Sequence, residues 1–166
     1  MIDHETLAIT IGRACADRRL RRGVHAVHRY IERHVRQRGA ACGACGRCCR
    51  FDEYGHVLFT TTLELAVFAA DARMYEAAAR AVVPMAGWPA CPFLRQGRCG
   101  VHDVRPAGCR IFFCADSGGN WQQELYRRCH QHIRRLHERL FVPYAYFEWR
   151  AGLNALRGVQ NFRALV

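Results

Sequence analysis

The sequence contains no lysine: all 25 of its basic residues are arginine. Beside a high alanine content, that reads as a GC-rich coding bias more than as selection for phosphate binding. No apolar run approaches the roughly 18 residues needed to span a bilayer, so a transmembrane helix is excluded. The N-terminal segment lacks a basic stretch followed by an uninterrupted apolar one, as an export signal requires, and a cytoplasmic location is expected. There is no phosphate-binding loop, no nucleotide-binding glycine motif and no Ser-His-Asp set, so catalysis without a metal has no visible machinery. No internal repeat or low-complexity linker divides the 166 residues, a length suited to a single domain. A hydrophobic fraction of 51% and a charged fraction of 23% exclude disordered and fibrous classes.

What is plentiful is cysteine, ten residues in all. The chain exceeds the size at which secreted domains depend on disulfide staples, and the cysteines cluster instead of spreading over long loops. In a reducing compartment such clusters read first as metal ligands. Metal-bound thiols are deprotonated, so the formal charge of +11 overstates the basicity of a loaded protein. Two four-thiolate sites would each carry about two negative charges, and the holo protein would still be basic.

Helical periodicity is clear in two places. Leu20, Val24, Val27, Ile31 and Val35 line one face of a helix over 18–38, ended by Gly39. Trp121, Leu125, Cys129, Ile133, Leu136 and Leu140 do the same over 121–140. Thr61-x-x-Glu64 fits a capping box opening a helix that runs to Pro84, and Pro143 separates a last helix over 144–156. Between Pro84 and about Gly119, proline and glycine interrupt the chain repeatedly, and CPFLRQGRCGVH suits a short hairpin turning at Gln96-Gly97. The expected fold is a mostly α single domain over 1–166, with a motif core at 42–114 flanked by helices at 18–38 and 121–157. Its helices enclose an irregular cysteine-rich metal-binding core with one short β-hairpin.

Cys42-Gly-Ala-Cys45-Gly-Arg-Cys48-Cys49 presents three thiols at CxxC spacing, and Gly43 and Gly46 permit a tight path around a metal. Cys91, Cys99, Cys109 and Cys114 follow about fifty residues later, so binding would staple two distant segments. Sulfurs around one tetrahedral zinc lie about 3.8 Å apart, and adjacent side chains usually diverge too far for that. On this reasoning one of Cys48 and Cys49 serves a second metal. Eight thiolates thus fit two centres or one multinuclear cluster.

These residues, with Cys91-Pro92-Phe93-Leu94, Arg105-Pro106-x-x-Cys109-Arg110-x-Phe112 and Cys114, resemble the YkgJ-like CxxCxxCC family of zinc- or iron-chelating domains. The resemblance covers about 42 to 114 and implies a metal-binding cysteine-cluster protein; flagellin lysine N-methylases contain a similar cluster. Glu64 falls at the family's acidic helix-start position. His102 stands where an aromatic residue is common, and is a further candidate ligand or a donor to one.

CxxCxxC followed by a remote Cys-Pro is the ligand pattern of a bacterial 4Fe-4S cluster, whereas zinc uses paired CxxC knuckles. Iron, as an iron–sulfur (4Fe-4S) or other multinuclear centre, is therefore the expected cofactor, and zinc the alternative. The expected role is electron transfer, or the redox component of a modification system, with a protein partner or electron donor. The rivals are a structural zinc module presenting a basic surface and a protein that handles iron or zinc. Arg47, Arg50, Arg98 and Arg110 flank ligands and would favour thiolates, and Phe51, Phe93, Phe112 and Phe113 would exclude water. Arg18, Arg19, Arg21, Arg22, Arg127, Arg128, Arg134, Arg135 and Arg139 form basic stripes. No nucleic-acid recognition motif accompanies them, so they read as solvated helix faces. Cys15 and Cys129 read as core residues.

Overall fold

A computed structural model of the chain describes residues 3–55, 57–72, 89–112 and 120–158. Cys114 and Phe113 lie outside the described residues, as does the continuation of the helix predicted to reach Pro84. Among the described residues the protein is mostly helical, as expected. Helices α1 (His4–Ala16), α2 (Arg18–Gln37), α3 (Phe51–Tyr54) and α4 (Thr62–Ala72) precede the second cysteine segment. Helices α5 (Ala107–Ile111), α6 (Trp121–Arg139) and α7 (Trp149–Gly158) follow. No helix among the described residues is long and apolar enough to cross a membrane.

The core forms around α4, where Leu63, Leu65, Ala66, Val67, Phe68, Ala69 and Ala70 are all buried. A helix apolar on every side has to be wrapped, and α1 and α2 both pack on it. Its start is fixed from two directions. Glu64 N–H donates to Thr61 Oγ1 at 3.3 Å and Thr61 N–H to Glu64 Oε2 at 3.2 Å, the reciprocal capping box that the spacing predicts. The buried His137 of α6 accepts the Leu63 N–H at Nε2 and donates from Nδ1 to the Val142 carbonyl, satisfying a second orphan donor of the helix start.

Helices α2 and α6 bury the predicted stripes, Leu20, Val24, Val27 and Ile31 on one and Leu125, Cys129, Ile133 and Leu136 on the other. Helix α1 is an element that periodicity did not reveal. Asp3 caps it by accepting from Glu5 and Thr6 N–H. Its buried face, Leu7, Thr10, Ile11 and Ala14, is narrow and includes a polar residue. Arg13 ties it to the end of α6, donating to the carbonyls of Leu140 at 2.6 Å and Phe141 at 3.0 Å.

Two short antiparallel strand pairs complete the frame. Strands β2 (Leu94–Arg95) and β3 (Arg98–Cys99) form the predicted hairpin, with Gln96 at φ 47° and Gly97 at φ 74° supplying the left-handed turn residues. The other pair corrects the sequence reading. Residues 146–148 form β4 (Tyr146–Glu148), paired with β1 (Phe59–Thr61), so the last helix starts at Trp149, not 144. That pairing joins segments on either side of the whole cysteine region, and local periodicity carries no trace of it.

Candidate metal centre

The first cysteine segment is a loop shaped by left-handed residues. Gly46 sits at φ 67° as the sequence requires, but Ala44 at φ 52° takes the other left-handed position, and Gly43 does not. A Cβ on Gly46 would stand 2.4 Å from Leu94 Cδ1 and 2.6 Å from the Gly97 carbonyl oxygen, so only glycine lets this loop press against the β2–β3 hairpin. Backbone bonds then lock the two cysteine segments together. Cys91 N–H donates to the Cys49 carbonyl at 2.6 Å, and Asp52 N–H to the Pro89 carbonyl at 3.0 Å. Phe93 anchors the hairpin to the core through Phe68, their ring centroids 5.3 Å apart, and Phe68 continues to Trp149 at 4.9 Å.

This packing gathers six of the candidate cysteines, Cys42, Cys45, Cys48, Cys49, Cys99 and Cys109, with His102 and Arg105, around one cavity of about 20 Å³. That is room for a water-sized body. The seventh, Cys91, is buried and hydrogen-bonds to Cys49. Cys45 is exposed at the rim and Cys49 is buried, so the site runs from solvent inward.

Cys48 and Cys49 were expected to diverge. They converge instead, because the single 3₁₀ turn at Arg47–Cys49 folds the two thiols toward each other, and they hydrogen-bond directly. Cys49 is the hub, within hydrogen-bonding reach of Cys48, Cys91 and Cys99. The Cys49 hydrogen bond pulls Cys48 down to about 7 and Cys99 to about 6, with Arg105 adding to both. Cys91 is lowered by its own contact with Cys49, while Cys49 is raised by its three neighbouring sulfurs. Cys109 is raised well above the usual thiol range by its dense surroundings and by neighbouring thiols, although it is not sealed from solvent.

Sequence reasoning placed Arg105 in the motif but gave it no role at the site. Of the four arginines chosen for their position beside ligands, Arg50 pairs with Glu53, Arg110 with Glu32, and Arg47 lies over the Tyr54 ring. Arg105 instead lines the cavity, with Nε buried and no hydrogen-bond partner among the described residues. The signal lay in Arg105-Pro106: proline disfavours helical backbone before it, which holds Arg105 extended ahead of α5. The Nε2 of His102 is likewise buried without a partner among the described residues. Both residues line the cavity alongside the thiols, and a buried polar atom left unpaired costs about 1–3 kcal/mol.

The donor chemistry fits a thiophilic metal: soft thiols suit zinc and iron alike, and imidazole suits both. Among the described residues no three His, Cys, Asp or Glu side chains already stand as a grip on one ion. The thiols are tied to one another by protons, which binding has to release. Phe51 and Phe93 are buried nearby as expected, whereas Phe112 is exposed. Cys129 belongs to the core, and its neighbours His130 and His132 engage Tyr144 and Tyr30.

A half-buried imidazole beside a thiol nest, two chain segments locked by backbone bonds and the CxxCxxCC run together describe a chelating module, and a family model covering residues 41–135 matches it. No curated protein and no solved structure matches the chain. The chain belongs to the CxxCxxCC family, described as "Putative zinc- or iron-chelating domain".

Proposed function

We propose that the protein carries a multinuclear iron–thiolate centre, most simply an iron–sulfur cluster, that exchanges electrons with a protein partner or serves as the redox component of a modification system. The observation behind this reading is the number of donors in one place: seven thiols and the His102 imidazole share a single region, and one tetrahedral ion accepts only four. The proposed ligands are Cys42, Cys45, Cys48, Cys49, Cys91, Cys99 and Cys109, with Cys114 completing the eight and His102 beside them. Cys42, Cys45 and Cys48 have ferredoxin spacing, and Cys91-Pro92 supplies the remote cysteine followed by proline. When bound, such a cluster would supply one-electron chemistry. The chain's own contribution is the cradle: Cys49 and Cys91 hold the buried side, Arg105 places positive charge against the thiolates, and Phe93 fixes the hairpin to the core. Positive charge there favours the reduced state.

A structural zinc module is the second reading. It is favoured by the water-sized cavity and by the quartet of Cys48, Cys49, Cys91 and Cys99, in which the other three thiols each hydrogen-bond to Cys49. Anaerobic purification followed by metal analysis and visible absorption separates the two. A brown protein that bleaches with dithionite supports iron; a colourless protein with stoichiometric zinc and no iron overturns it.

A further inference from the structure

A second group of metal-ligating side chains lies on the far side of α5. Helix α2 presents His25, His28 and Glu32 at i, i+3 and i+7, one face of the helix. Asp71, in the last turn of α4, reaches the same face, and His25 Nε2 donates to its Oδ2 at 2.6 Å. These residues line a groove of about 540 Å³. Short α5 and the turn at 102–104 form the wall between this groove and the thiol cavity, with Cys109 and His102 on one side and Arg110 and Asp103 on the other.

His28 makes the group more than a polar surface. Its side chain is only 7% exposed, yet Nε2 has no hydrogen-bond partner among the described residues. An imidazole nitrogen left so inside a protein calls for an unseen partner. Its ring centroid is 6.1 Å from that of His25. Two imidazoles on one tetrahedral zinc-like ion, with metal–nitrogen bonds of about 2.0–2.1 Å, place their centroids about 5 Å apart, so the two rings have to close by about 1 Å. Burial and the positive charge of Arg110, His25, Arg105 and Arg29 hold the His28 imidazole well below its usual range, so a cation there has to lean on the groove's carboxylates. Arg110 is spent on the Glu32 carboxylate at 2.5 Å and on the carbonyls of Arg105 and Asp103. The groove's three carboxylates, Glu32, Asp71 and Asp103, outnumber its guanidiniums, Arg110 and the exposed Arg29.

We propose that His25, His28 and Asp71 form a second metal site, for a divalent ion of the zinc, ferrous or cobaltous type, distinct from the thiolate centre. Nitrogen and carboxylate oxygen donors suit such ions. No three of these donors yet converge on one point, so binding has to part the His25–Asp71 hydrogen bond and let both atoms turn to the ion. His25, the ring that has to move, is partly exposed, with 38% of its side-chain surface open to solvent.

Cobalt titration of the metal-free full-length chain tests this, since thiolate-bound Co²⁺ gives intense near-ultraviolet charge-transfer bands and nitrogen–oxygen sites do not. The wild-type chain should take up one Co²⁺ beyond those that build the charge-transfer band. His25→Ala and Asp71→Asn should each lose that ion and leave the band intact. His28→Leu should lose it as well while melting no lower than wild type as the apoprotein, because it removes an unpaired buried nitrogen. Equal cobalt uptake by wild type and the His25→Ala chain overturns the proposal. So does a charge-transfer band that falls in step with the lost ion.

Discussion

At the residue scale the site depends on a few positions whose neighbours leave no substitute. Gly46→Ala would force a Cβ into the Gly97 carbonyl at a left-handed φ, and should destabilise by at least about 2 kcal/mol. Urea denaturation would measure that, and bound metal should fall with it. Cys49 contacts three other thiols, so Cys49→Ser should lower metal content by at least one ion per chain, while Cys129→Ala, a core change, should leave it unaltered. Elemental analysis of the purified variants is the check. Glu64 sets a pH dependence. Burial raises its carboxyl to about 7, against the hydrogen bonds from Ala107 and Thr61 N–H that favour the ionised form. A carboxyl raised above its unfolded value of 4.5 stabilises fully below that pH and loses its contribution as pH rises through 7, on the order of 3 kcal/mol in all. The buried His28 and His137, both lowered, act in the opposite sense. The difference between wild type and Glu64→Gln isolates the glutamate: the wild-type apoprotein should lose stability relative to the variant between pH 4.5 and 7. A constant difference across that range would remove the assignment.

At the scale of elements, the hairpin is the hinge between core and site. Phe93 is buried against Phe68, and its replacement by alanine should cost about 3–4 kcal/mol and loosen Cys91 and Cys99 together; chemical denaturation read beside thiol reactivity would show both. How far these elements were legible in the sequence follows from where their determinants lie. Helices α2 and α6 carry wide apolar stripes, the α4 start carries its own capping box, and the hairpin carries Gln96-Gly97, so each was readable locally. Helix α1 was not, because Thr10 interrupts its buried face and its one clear signal is a lone Asp3 cap. The β1–β4 pair was not, because each strand has only three residues and finds its partner across the whole motif. The cysteines announced themselves by spacing, but the convergence of Cys48 with Cys49 depends on a 3₁₀ turn, and the place of Arg105 on the packing of α5. Those are tertiary outcomes that a residue count does not contain.

For the whole molecule, two cysteine segments meet on a helical frame and share its apolar core, to which Cys49, Cys91 and Phe93 contribute. Metal binding to small modules without such a core contributes roughly 10 kcal/mol and decides whether they fold. Here chelation should leave helix content largely intact while amide exchange quickens selectively at 42–49 and 89–109. Circular dichroism and hydrogen exchange would show that pattern; global unfolding on chelation would mean that the frame does not stand alone. The central claim, a thiolate centre of more than one metal ion, is met most directly by X-ray absorption at the edge of the metal in the anaerobically purified chain. The account predicts a first shell of about four sulfurs near 2.3 Å together with metal–metal scattering. A first shell dominated by oxygen or nitrogen, or sulfur ligation without any metal–metal vector, would contradict it.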